Sequence, residues 1–210
     1  MKYLCWTAAL AMLPASAQAA SMSSLLGSPD AGARPGQTMM FDFNSATPEL
    51  SGDYSLVSGT TSKFAAPAGD GSQYAVVPTS GMPRGSATLD LTGFVRPILS
   101  FSFYWGSIDT YNSIELLSGS TSFAAFSGTS IWPANGDQHA AVTNRRVNFV
   151  IDRGQALTGV RFNSGGVAFE IDDFAVAAVP DTSVWVTLLM GFSIIGYAAR
   201  HGQKRHVAAA

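Results

Sequence analysis

The residues best equipped for chemistry lie in the middle of the chain. The run Phe103-Tyr104-Trp105-Gly106-Ser107-Ile108-Asp109-Thr110-Tyr111-Asn112-Ser113-Ile114 puts aromatic faces beside directional polar groups. Trp105 and Tyr111 could stack on a sugar ring or another apolar face, and Asp109 and Asn112 could fix its orientation by hydrogen bonds. The same Asp and Asn could instead cap the backbone amides of their own turn, as Asx residues do. Asp172 and Asp173, with Glu170 nearby, could offer oxygens to calcium. That ion takes six to eight oxygen ligands, and no spaced Asp/Asn/Gly loop supplies the rest. Strand alternation would place Glu170 and Asp172 on the surface in any case. His139 is the one histidine between the two apolar ends, in Asn135-Gly136-Asp137-Gln138-His139. No nucleophile-elbow, zincin or phosphate-loop pattern accompanies it, so the reading is an exposed loop histidine, no catalytic residues and no cofactor. Paired carboxylates of the glycosidase kind stay open, because Asp is common on β surfaces.

The elements that must position these groups are strands. Between Gln37 and Ala178, short alternating or apolar runs are separated by Gly, Ser, Asn and Pro. Strands are expected at Thr38–Asn44, Tyr54–Ser58, Tyr74–Val77, Ala87–Leu91, Pro97–Trp105, Ser113–Leu117, Ser122–Phe126, Arg146–Asp152, Leu157–Asn163 and Val167–Val176. The fold class is all-β, an antiparallel β-sandwich or jelly roll over 37–178. Alternation nominates a core face of Leu99, Phe101, Phe103 and Trp105, joined by Val147, Phe149 and Ile151, by Val160 and Phe162, and by Val167, Phe169 and Ile171. Residues 20–36, with Gly27, Pro29, Gly32, Pro35 and Gly36, read as a flexible leader.

Composition agrees with this picture. Of 210 residues 47% are apolar, enough for a core, whereas 12% are charged, about half the usual share. Between residues 20 and 179 there are eight Lys/Arg against thirteen Asp/Glu, a balance that argues against nucleic acid as a partner. Cys5 is the only cysteine, which leaves residues 20–210 without a disulfide or thiolate metal site.

The two ends carry targeting signals. Lys2, the apolar stretch Leu4–Leu13, Pro14 and Ala17-Gln18-Ala19 have the layout of a secretory signal peptide over 1–19, with signal peptidase and the secretion machinery as partners. Cleavage is expected after Ala19, with Ala17 and Ala20 as the alternative sites. At the other end Val184–Ala199 is uncharged, about 24 Å long as a helix, and followed by basic residues. This predicts a transmembrane helix in the inner membrane with its basic end in the cytoplasm.

Val179-Pro180-Asp181-Thr182-Ser183-Val184-Trp185, the apolar run with Gly191, Phe192 and Gly196, and then Arg200, Lys204 and Arg205 resemble a PEP-CTERM sorting signal over 179–206. In this alignment Asp181 stands for Glu and Thr182 for the second proline. The aromatic stretch through Asn112 and the late segment Phe169-Glu170-Ile171-Asp172-Asp173-Phe174 resemble parts of exosortase-dependent surface proteins. The resemblance implies an exported cell-surface or matrix protein with a non-catalytic domain, recognised by an exosortase and associated with exopolysaccharide or the envelope. The alternatives are an uncleaved, membrane-anchored periplasmic carbohydrate-binding module and a secreted hydrolase.

Overall fold

The computed structural model describes residues 19–79, 81–179 and 182–207. Most of the expected signal peptide, together with Pro180 and Asp181 of the sorting motif, lies outside the described residues. The strands are β1 (Ala20–Leu26), β2 (Thr38–Phe41), β3 (Leu50–Gly52), β4 (Ser55–Ser58), β5 (Gln73–Val77), β6 (Gly85–Asp90), β7 (Ile98–Gly106), β8 (Asn112–Ser118), β9 (Thr121–Ser127), β10 (Arg145–Ile151), β11 (Gly159–Ser164) and β12 (Phe169–Ala178). A helix, α1, spans Thr182–Val207.

All pairings are antiparallel, and they make two sheets. The larger runs β1-β10-β7-β12-β5-β4, with β2 also on β12; the smaller runs β3-β6-β11-β8-β9. Their facing surfaces enclose one apolar core, which makes the body a β-sandwich as expected. The core is largely aromatic. Trp105 stacks on Phe169 at 4.5 Å, and Phe101 lies between Phe149 at 4.7 Å and Phe174 at 5.2 Å. Phe162, from the smaller sheet, meets Phe103 edge-on at 5.5 Å. Offset and edge-on rings contribute beyond the area they bury.

Two bulges decide which side chains face inward. Ala177 pairs with Ser100 but Ala178 with Ile98, so Leu99 is an extra residue on β7. Ile98 takes the inward place, and Leu99, expected in the core, is exposed. On β12 the pairing steps from Asp172↔Tyr104 to Ala175↔Ser102. The extra residue is Asp173, at φ +53°, and it restores Phe174 and Val176 to the core after Phe169 and Ile171. At this bulge β12 also changes neighbour on one edge: β5 pairs with Phe169–Ile171 and β2 with Phe174–Val176.

The leader reading of 20–36 is corrected. Ala20–Leu26 is β1, an edge strand of the larger sheet in register with Arg145–Ile151. Three of its seven residues are serine, and the adjacent Ser23-Ser24 and Leu25-Leu26 break the alternation, so periodicity alone did not mark it. The chain then turns across the outer face of the larger sheet as a strap. The Gly27 amide donates to the Asn144 carbonyl at 2.7 Å, the Ser28 amide to the Tyr104 hydroxyl at 3.0 Å, and Gln37 Nε2 to Asn148 Oδ1 at 2.9 Å and Ser100 Oγ at 3.0 Å. A Cβ on Gly27 would collide with Tyr104 and that carbonyl, so glycine is required for the close approach.

The sandwich has two poles. β7 enters at Ile98 and leaves at Gly106, while β12 runs back and ends at Ala178 opposite Ile98. Ala20 pairs with Ile151 at that same end. Both ends of the body therefore leave from one pole, the proximal one; the loops after β7 and β9 form the distal pole.

Helix α1 follows Val179 after a gap of two residues. Leu189, Met190, Phe192, Ile194, Ile195 and Tyr197 are all exposed, so the helix does not pack into the body's interior. Trp185, Gly191, Gly196, Arg200, Lys204 and Arg205 of the sorting signal fall on it. Among the described residues no helix is long and apolar enough to cross a membrane, so the span expected at Val184–Ala199 finds no support there.

Candidate functional site

The aromatic run expected to hold a ligand is mostly internal. Trp105 is fully buried against Phe169 and Phe103, so it is not a ligand platform, and the reading is corrected on that point. Asn112 is also buried. Its amide donates to the Ala168 carbonyl at 3.2 Å, and its Oδ1 accepts from Ser164 Oγ at 2.8 Å. Asp109 and Tyr111 stay at the distal surface. The Tyr111 hydroxyl contacts Asp109 Oδ2 at 2.6 Å and the Val167 carbonyl at 2.9 Å. Burial, then the Tyr111 hydrogen bond opposing it, leaves the Asp109 carboxyl above its ordinary pKa.

A second loop closes on the first. Asp109 bridges Asn135, and the Gly136 amide donates to the Ile108 carbonyl at 3.0 Å. Gly136 sits at φ +67° against the Asp109 carboxylate, a place where a Cβ would clash. This loop carries Trp132 at 87% exposure, an indole held almost wholly in solvent at the distal pole. Sequence reasoning passed over it; the available signal was a Trp-Pro pair set among Ser, Asn and Gly, where no strand can bury the ring. His139 lies farther along, its amide accepted by Asp137 Oδ1 at 2.9 Å. With Asp70 and Gln138 it lines a cleft of about 250 Å³ under the strap.

The carboxylates of β12 differ from expectation in burial, though not in direction. Glu170 and Asp172 do point away from the core, as alternation requires, but the strap and residues 60–72 cover that face and both are buried. Glu170 accepts from the Ala65 amide at 3.1 Å and Ser107 Oγ at 2.8 Å. Asp172 accepts from Ser72 Oγ at 3.1 Å and shares a hydrogen bond with Asp70. Arg146, fully buried, reaches Asp30 Oδ2 at 3.1 Å and the Asp173 carbonyl at 2.6 Å. Among the described residues no group of three His, Cys, Asp or Glu could hold a metal ion. A hydrogen-bonded Asp70–Asp172 pair is also too close to flank a glycosidic bond, which requires at least ~5 Å between carboxyls.

This layer makes stability depend on pH. Burial raises Glu170 to about 7 and, with the Asp70 hydrogen bond and charge adding to it, Asp172 to about 9. Burial also acts on Asp70, but its bonds to Asp172 and Ser72 outweigh that and lower it. The folded state thus keeps protons that unfolded carboxyls release near pH 4. Stability is greatest in mild acid and falls as pH rises, through about 7 for Glu170 and about 9 for Asp172. The slope in each window is about 1.4 kcal/mol per pH unit per proton. Melting curves should show a higher Tm at pH 5 than at pH 8.5, and Asp172→Asn should flatten the fall above pH 7. A wild-type Tm independent of pH would contradict this account.

No protein-family model and no curated relative matches the chain. Among solved structures it is similar to CpGH89CBM32-6 produced by Clostridium perfringens, at 16% identity and TM-score 0.33, covering 65% of this chain and 98% of that one. It is also similar to CtCBM11, at 12% identity and TM-score 0.26, covering 70% and 97%. The site rests on this chain's own geometry.

Proposed function

We propose that this chain is an exported, non-catalytic surface or matrix protein whose sandwich is held at its proximal pole and contacts polysaccharide at its distal one. One observation carries the reading: both ends of the body leave from the same pole, while Trp132 stands exposed at the other. Two apolar segments flank the body in sequence, and this arrangement lets both reach one membrane without threading past the sandwich. The signal peptide is removed after Ala19, directly before β1. Helix α1, whose described side chains from Val186 to Tyr197 are exposed and mostly apolar, enters the inner membrane from the periplasmic side. Its uncharged stretch is shorter than the hydrocarbon core, a mismatch that local thinning of the bilayer accommodates. An exosortase then acts near Pro180 and passes the domain to the surface.

At the distal pole Trp132 supplies a flat apolar face, and Asp109 and Tyr111 supply the hydrogen-bonding edge that a sugar hydroxyl needs. The probes are xylan, β-glucan and alginate cast into native gels. Retardation of the protein by one of them should weaken about tenfold on Trp132→Ala, the equivalent of ~1.4 kcal/mol. The fold should be untouched, because the ring packs on little. Unchanged retardation in the variant would remove Trp132 from the site. The mass of the mature C-terminus in the native host separates a sorted protein from an uncleaved anchored module.

A further inference from the structure

The proximal pole has a surface of its own. β6 ends at Asp90, whose carboxylate accepts the Thr92 amide at 2.8 Å, and the Phe94 amide closes the turn on the Leu91 carbonyl at 3.1 Å. Phe94 packs inward against the core, which leaves its neighbour Val95 pointing outward at 98% exposure. Beside it a cleft of about 550 Å³ opens between this turn and β2, lined by Met40, Phe94, Val95, Arg96, Glu49 and Asp90 among others. Met40 is exposed too. An apolar tip of this kind gains nothing from water.

The occupant follows from where the chain goes next. The Val179 amide donates to the Pro97 carbonyl at 3.0 Å, so the root of α1 is clamped to the strand that the Val95 turn feeds. From Val179 to Thr182 is three residues, at most ~10 Å of chain. A bilayer entered by α1 therefore lies within reach of Val95. We propose that the Gly93–Arg96 turn rests on the lipid surface that α1 enters, seating the sandwich proximal pole down. This rests on the membrane reading of α1 given above. Glu49 and Asp90 share the cleft with Arg96, so the contact is apolar rather than electrostatic. It should persist on zwitterionic lipid and at high salt, where screened charge contacts fade.

The test uses residues 20–210, the chain left after removal of the signal peptide and free of native cysteine, reconstituted in phosphatidylcholine vesicles. Single cysteines at Val95→Cys, Phe192→Cys and Trp132→Cys each carry an environment-sensitive fluorophore, and nitroxide-bearing lipids serve as quenchers. The expected result is blue-shifted, quenched emission at 95 and 192, unchanged between low and high salt, and water-like emission at 132. Water-like emission at 95 with a quenched label at 192 would overturn this inference and leave the membrane reading standing. Water-like emission at 192 would overturn both. Quenching at 132 equal to that at 95 would overturn the orientation.

Discussion

Trp105→Ala should cost about 3–5 kcal/mol of stability, the range for deleting a large buried aromatic. The indole is sealed between Phe103 and Phe169 near the distal end of β7, and the cavity left behind would be walled by rigid rings that cannot collapse into it. At roughly 2–4 °C per kcal/mol for a domain of this size, Tm should fall by about 6–20 °C. Trp105→Phe should be far milder, because it keeps a ring and because Trp105 Nε1 has no hydrogen-bond partner to lose among the described residues. Denaturant or thermal unfolding of both variants checks this. A Trp105→Ala protein as stable as wild type would place the ring outside the core.

Asp30→Ala should be comparably severe, about 3–5 kcal/mol, although nothing apolar is removed. Arg146 is fully buried on β10, with Asp30 as its ion-pair partner and the Asp173 carbonyl as its other bond through Nη1. Its Nε and Nη2 have no hydrogen-bond partner among the described residues. Removing one member of a buried pair strands the other charge, which costs far more than the pair contributes net. The opposed shifts agree with this: burial lowers Arg146 and raises Asp30, each partly offset by the other's charge. Replacing both, as Asp30→Leu with Arg146→Met, should recover most of the loss. Equal destabilisation of the single and double variants would show that strap packing rather than the stranded guanidinium is responsible.

Pattern and burial part company in this fold at identifiable residues. The period-two alternation of β10, β11 and β12 was legible because Val147, Phe149, Val160, Phe162, Phe169 and Ile171 face one core. Leu99 was misplaced because a bulge adds a residue to β7 without any mark in its composition. β1 escaped notice because its partner lies far along the chain and its own Ser-rich sequence gives no period. Glu170 and Asp172 were aimed correctly, yet their burial depends on a strap whose residues look like linker. The candidate site was half legible: Asp109 and Tyr111 stand at the distal surface, whereas Trp105 belongs to β7 and its core. Trp132 carries no periodic signal, since what distinguishes it is the absence of anything packed over it.

The strand order also sets a schedule. For a chain delivered from its N-terminus, by ribosome or translocon, β1 appears first and must wait for β10 before it can pair. β12, which joins β7 to β2 and β5, arrives last of all. The larger sheet is therefore unable to close until nearly the whole body has emerged. Folding of high contact order is slow for this reason. A polypeptide wired this way stays open until its last strand has emerged.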